Sequence, residues 1–184
     1  MIMNGPVPPE RQAASKYNYK IFALINGLSY MCLGETVIIL LAVQLDCRDY
    51  IISALGAMLY FGFLLLPLGK NVTAQVGAAR SQGIFWILRN ISALLVAAAT
   101  PVSLYVSHTL AVVILLTGAF LFYGFRAAGA VMVQPLLGEM TTRSDRSAFI
   151  ALTTALFYVT CVLALAVISV VLHYTHSVWA LTGI

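Results

Sequence analysis

Two side chains in this sequence carry charge where their neighbours leave little water to hold it. Arg126 stands in the stretch YGFRAAGAVM, and Glu35 follows GLSYMCLG in another apolar run. A cation and a carboxylate at such depth can hold an ionic solute, carry a proton or neutralise one another. An arginine at the centre of a membrane helix costs about 2.5–3.5 kcal/mol on insertion scales, so it faces a cavity or a partner. Arg126 lies about 16 residues into its run, roughly 24 Å from one end at 1.5 Å per residue. The other end is about 15–18 Å away, beyond the roughly 6–7 Å that an arginine can snorkel. Glu35 lies roughly 21 Å into its own run. The two depths agree within the reach of the side chains, so one intramembrane pair is a candidate, and pairing would offset part of each desolvation cost. The alternative is that each meets separate polar groups. Arg89, five residues into its run, can reach the interface and reads as structural.

Small polar residues repeat at helical spacing near these charges. Ser29, Cys32 and Thr36 recur at i, i+3 and i+7 in the first run, and Thr154, Tyr158 and Cys161 at i, i+4 and i+7 in the last. In lipid such residues either bind helices together or line a cavity. Ser29, Thr36, Thr154 and Tyr158 therefore join Arg126 and Glu35 as candidates for substrate or proton coupling. Gly124 and Ala128, four apart, suit close helix packing. Enzyme chemistry is not expected: no H-E-x-x-H, P-loop or nucleophile motif occurs. His173 and His176, three apart, have a metal-ligand spacing. Beside Tyr105, Tyr174 and Trp179 they read, with His108, as interfacial residues. Cys32, Cys47 and Cys161 read as small apolar residues. No catalytic, metal or cofactor-binding residue is expected.

The elements that must position these groups follow from composition. The 184 residues are 61% hydrophobic and 9% charged, against about 25% charged in a soluble domain. A spanning helix needs about 20 mainly apolar residues. Residues 21–45, 50–68, 84–106, 110–137 and 148–172 meet that test, which predicts an all-α polytopic membrane protein with five transmembrane helices in one bundle. Arg11, Lys16, Lys20, Lys70, Arg80, Arg143 and Arg146 fall on one side of it, and only Arg48 on the other. That asymmetry places the N-terminus and loops 70–83 and 138–147 in the cytoplasm, in a cytoplasmic (inner or plasma) membrane. It leaves no basic, aromatic-interleaved run for nucleic acid. The sequons at Asn71 and Asn90 fall in a cytoplasmic loop and a span, so neither should carry glycan. Residues 1–19 read as a disordered cytoplasmic tail, 20–172 as the bundle, and 173–184 as an external loop with the opening turns of a sixth helix. That last pattern suggests a fragment.

Two stretches carry a resemblance. LGKNVTAQVGAAR lies between the second and third runs, and FRAAGAVMVQPLLGEMTTRSDRSAF leads from the fourth into the fifth. Together with short loops and an inside N-terminus, they make the chain similar to the N-terminal half of a major facilitator superfamily transporter. Gly69, Lys70, Gly77 and Arg80 resemble the family's cytoplasmic loop motif; Arg126 and Gly129 resemble its fourth-helix motif. The resemblance implies a central cavity lined by spans one and four, and a missing second half as partner. It implies alternating-access transport of a small solute, with Glu35 able to carry a coupling proton. A small accessory or scaffold protein without transport of its own is the competing expectation.

Overall fold

The computed structural model describes residues 8–32, 34–175 and 178–183, with no strand among them. Five stretches are long and apolar enough to cross a membrane: Glu10–Gln44, Asp49–Val76, Ala78–Tyr105, His108–Met140 and Arg146–Tyr174. Helices answer the chemistry of such segments, because in hydrocarbon every backbone N–H and C=O must find its partner within the chain. The expected number of spans holds, but their ends and continuity do not.

Three of the five are interrupted. The first splits into α1 (Pro9–Cys32) and α2 (Glu35–Gln44). Gly34 lies between them with φ −60° and ψ 156°, and its carbonyl accepts from the N–H groups of Val37 and Ile38 at 3.0 and 3.2 Å. Glycine is a weak helix former. The Glu35 carboxylate in the first turn of α2 suits the positive end of that helix. The second span runs as α3 (Asp49–Phe61), a 3-10 turn (Gly62–Leu65) and α4 (Leu66–Val76). The fourth runs as α6 (His108–Ala130) and α7 (Val133–Met140). Both of these breaks precede a proline by one turn. The ring of Pro67 or Pro135 clashes with the carbonyl four residues back, at Phe63 or Val131, so the helix yields there.

The connections are tighter than the sequence suggests. The expected loop 70–83 is helical apart from Gly77, which joins α4 to α5 (Ala78–Tyr105). At this corner the buried Thr73 hydroxyl donates to Gly69 O at 2.7 Å and meets Ser81 Oγ at 2.8 Å. Val106 and Ser107 alone join α5 to α6, because α5 continues through Pro101. Loop 138–147 shrinks to residues 141–145 before α8 (Arg146–Tyr174). The disordered-tail expectation fails for residues 9–19, which are the first turns of α1; residues 1–7 lie outside the described residues. Tyr19 packs on Phe149, and Lys16 pairs with Asp145, so α1 is fastened to the start of α8. Val178–Gly183 forms a short α9.

Helix α6 sits at the centre, against α5 on one side and α3, the 3-10 turn and α4 on the other. Small residues permit this approach. A side chain at Gly69 would strike the Ala128 backbone, and one at Gly129 would strike Trp86. The packing role expected of Gly124 and Ala128 is observed, with Leu65 lying against Gly124. Helix α1 pairs instead with α8, where a side chain at Gly27 would strike Thr160 and the Phe157 carbonyl. Large apolar side chains of α8, including Val162, Leu163 and Val167, face outward, as expected of a surface for lipid.

Candidate functional site

The α1–α8 pair meets α5 through long side chains, and there the deepest polar cluster lies. Arg89 of α5 is 1% exposed. It donates to Asn26 Oδ1 at 2.7 Å and Ser29 Oγ at 2.8 Å on α1, and to Asn90 Oδ1 at 3.2 Å. Its guanidinium lies 5.2 Å from the Trp86 ring centroid and 5.6 Å from that of Phe122. Trp86 in turn donates to Asn26 Oδ1 at 3.0 Å. The reading of Arg89 as a residue that snorkels to the interface is therefore wrong. Helix α5 begins at Ala78, not Ile84, which puts Arg89 roughly 17 Å from the helix start. At that depth the side chain turns sideways into protein.

Arg126 of α6 sits apart from that cluster, its guanidinium 4.2 Å from the Tyr30 ring centroid. Tyr30, Leu59, Phe63, Tyr123, Arg126, Ala127 and Ala130 line a half-open cavity of about 240 Å³. The Tyr123 ring forms part of its wall and is 2% exposed; the Tyr123 hydroxyl is buried without a hydrogen-bond partner. A neighbouring cavity of about 280 Å³ is lined by Asn26, Trp86, Thr154, Phe157 and Tyr158, among others.

The expected constellation is only partly assembled. Ser29 belongs to the Arg89 cluster, Arg126 to its own cavity, and Thr154 and Tyr158 to the neighbouring one. Thr36 and Glu35 are exposed in the first turn of α2. The break at Gly34 removes them from the helical wheel that aligned them with Ser29 and Cys32. Glu35 and Arg126 form no ion pair: the pair found within 4.0 Å among the described residues is Lys16–Asp145. The Glu35 carboxylate lies instead against α3, where a Cβ at Gly56 would be 3.5 Å from its Oε1.

The loop-motif residues are placed by packing and by turn geometry. Gly69 is buried against α6, Gly77 makes the α4–α5 corner, and Lys70 and Arg80 are exposed. Cys161 is buried, with its Sγ 3.5 Å from Gly27 O. His108 Nε2 meets Leu45 O at 2.8 Å and the His173 ring stacks edge-on with Tyr174; His176 lies outside the described residues. No cluster of three or more His, Cys, Asp or Glu side chains suited to a metal occurs among the described residues.

Sequence reasoning missed Asn26, Trp86 and Asn90. Asn26 stands three residues before Ser29 and Trp86 three before Arg89, the spacing of neighbours on one helix face, whereas Asn90 directly follows Arg89 and gives no such signal. No family model, curated protein or solved structure matches the chain.

Proposed function

We propose that this chain is the N-terminal portion of a secondary active transporter of the major facilitator type. On this reading it moves a small solute across the cytoplasmic membrane by alternating access. One observation carries the proposal: Arg126 stands deep in a span, beside a cavity, with no protein carboxylate within ion-pairing distance among the described residues. A purely structural arginine at that depth would be expected to resemble Arg89, with its donors taken by neighbouring polar groups. Arg126 has an aromatic face and open space instead, which suits a cation that receives a solute. The broken first span adds support, because discontinuous helices near the midplane commonly build transporter sites. Glu35, at the start of a half-helix and exposed, is the group placed to take up a coupling proton.

The test is uptake into proteoliposomes by the complete reading frame to which this chain belongs. A panel of small solutes is run against wild type, Arg126→Ala and Glu35→Gln. The expected result is uptake of at least one solute by wild type, reduced to background in a folded Arg126→Ala protein. Glu35→Gln should retain binding but lose the response to an imposed proton gradient. Folded protein without uptake of any solute would favour the accessory-protein reading. Uptake insensitive to Arg126→Ala would remove the arginine from the pathway.

A further inference from the structure

We propose that the Arg126 cavity binds a small monocarboxylate with an apolar tail. The inference deepens the transporter reading by naming a solute class, and it begins from charge. The deep ionisable groups are Arg89 and Arg126, two positive charges, and Glu35, one negative charge, which leaves a surplus of one positive. Arg89 has no carboxylate partner among the described residues and spends its donors on Asn26, Ser29 and Asn90. It therefore contributes field rather than contacts. A bound monoanion brings the set to neutrality, which favours it in a low-dielectric interior.

Geometry then selects among monoanions. The Arg126 guanidinium lies over Tyr30 and makes no hydrogen bond to the described residues, so its planar fork is open to a carboxylate in the bidentate manner. Tyr123 lines the same wall and its hydroxyl is buried without a partner, so a small shift of the ring on binding would turn it toward the carboxylate as a further donor. The rest of the wall, Leu59, Phe63 and Ala127, offers apolar surface for a tail. A cavity of about 240 Å³ has room for about eight waters at roughly 30 Å³ each, and so for a ligand of similar heavy-atom count. A dicarboxylate would bring a second negative charge with no second open cation. It would also meet repulsion from Glu35, whose carboxylate lies beside Gly56, one helical turn from Leu59. An inorganic anion would leave the apolar wall uncovered.

The experiment is calorimetric titration of the purified chain in lipid nanodiscs with butanoate. Butanamide, succinate and nitrate serve as the neutral, dianionic and tail-less comparisons. Butanoate should bind wild type at least about tenfold more tightly than each of these. Arg126→Gln should abolish binding, and Arg126→Lys, which keeps the charge but loses the fork, should fall between. Tyr123→Phe, which preserves ring volume, should weaken binding about tenfold, the value of one hydrogen bond to a charged group. Butanoate that fails to bind wild type, or binds Arg126→Gln equally well, overturns the proposal. So does nitrate that binds as tightly as butanoate. Tyr123→Phe with unchanged affinity overturns the assigned contact geometry. Failure to bind butanoate alongside Arg126-dependent uptake of another solute sinks the monocarboxylate and spares the transporter. Butanoate binding by a complete frame that transports nothing does the reverse.

Discussion

At the scale of single residues, two arginines of similar depth have opposite surroundings. Arg89 is a buried cation whose donors are met by amide and hydroxyl oxygens and whose faces are covered by Trp86 and Phe122. Removing it strands Asn26, Ser29 and Asn90 and opens a gap between α1 and α5. Leaving a buried polar group without its partner costs about 1–3 kcal/mol. Arg89→Gln should therefore lower the unfolding free energy by about 3 kcal/mol, read from denaturant titration in mixed micelles. Arg89→Lys should recover only part of it, since an ammonium cannot reproduce the three-way fork. Arg126→Gln, which removes a single ring contact, should cost about 1 kcal/mol or less in the same assay. A stability loss at position 126 equal to that at 89 would contradict this division of roles between the two arginines.

At the scale of elements, the chain is shaped by where helices stop. Gly77 holds φ 86° and ψ 162° at the α4–α5 corner, and a Cβ there would meet no atom within 4 Å. A side chain would fit in space but strain the backbone, so Gly77→Ala should cost about 1–3 kcal/mol. Gly83 has equally open surroundings but lies inside α5, where alanine is preferred. Gly83→Ala should stabilise by about 0.5–1 kcal/mol. Thermal unfolding of the two variants side by side separates backbone strain from packing. The number of spans was legible from apolar run length, because a bilayer sets that length whatever the neighbours are. Their interruptions were partly legible, since Pro67 and Pro135 mark the breaks one turn upstream. The break at Gly34 was not, because a lone glycine in an apolar run is compatible with either a continuous or a divided helix. The site suffered from the same blind spot. Glu35 and Thr36 were aligned with Ser29 on a wheel that assumes continuity, and Arg89 was assigned a depth from a helix start six residues too late.

At the scale of the whole molecule, α1 and α8 form one pair and α2 to α6 gather around α6. The Lys16–Asp145 ion pair fastens the start of α1 to the start of α8, and Thr142 also donates to Asp145 from its backbone N–H and its hydroxyl. These contacts, the Lys16 hydrogen bond foremost, hold the Asp145 carboxyl down at about 2 from its ordinary 3.8. A depressed carboxylate contributes stability that is fully present above its ordinary value and is lost as pH falls through the depressed one. The contact should therefore persist at pH 5 and fade between pH 4 and 2. Amide exchange in residues 9–19, corrected for intrinsic rate, should accelerate over that window in wild type. Asp145→Asn should show the faster exchange already at pH 5. Exchange that is flat with pH in wild type would mean that the pair does not order the first turns of α1.

The division at Gly34 has a mechanical consequence. Of the first crossing, α1 travels with α8 while α2 is held by α3 and α9. Besides the link from α8 to α9, the covalent path from the α1–α8 pair to the rest of the bundle runs through two short tethers. One passes Gly34 near mid-depth; the other is the segment 141–145 at the end marked by Lys16 and Asp145. One tether in the middle and one at the rim define an axis, and the Arg89 fork joins α5 to α1 of the pair. A tilt of the pair about that axis would leave every helix intact and concentrate the backbone adjustment at a glycine, a polar turn and the link from α8 to α9.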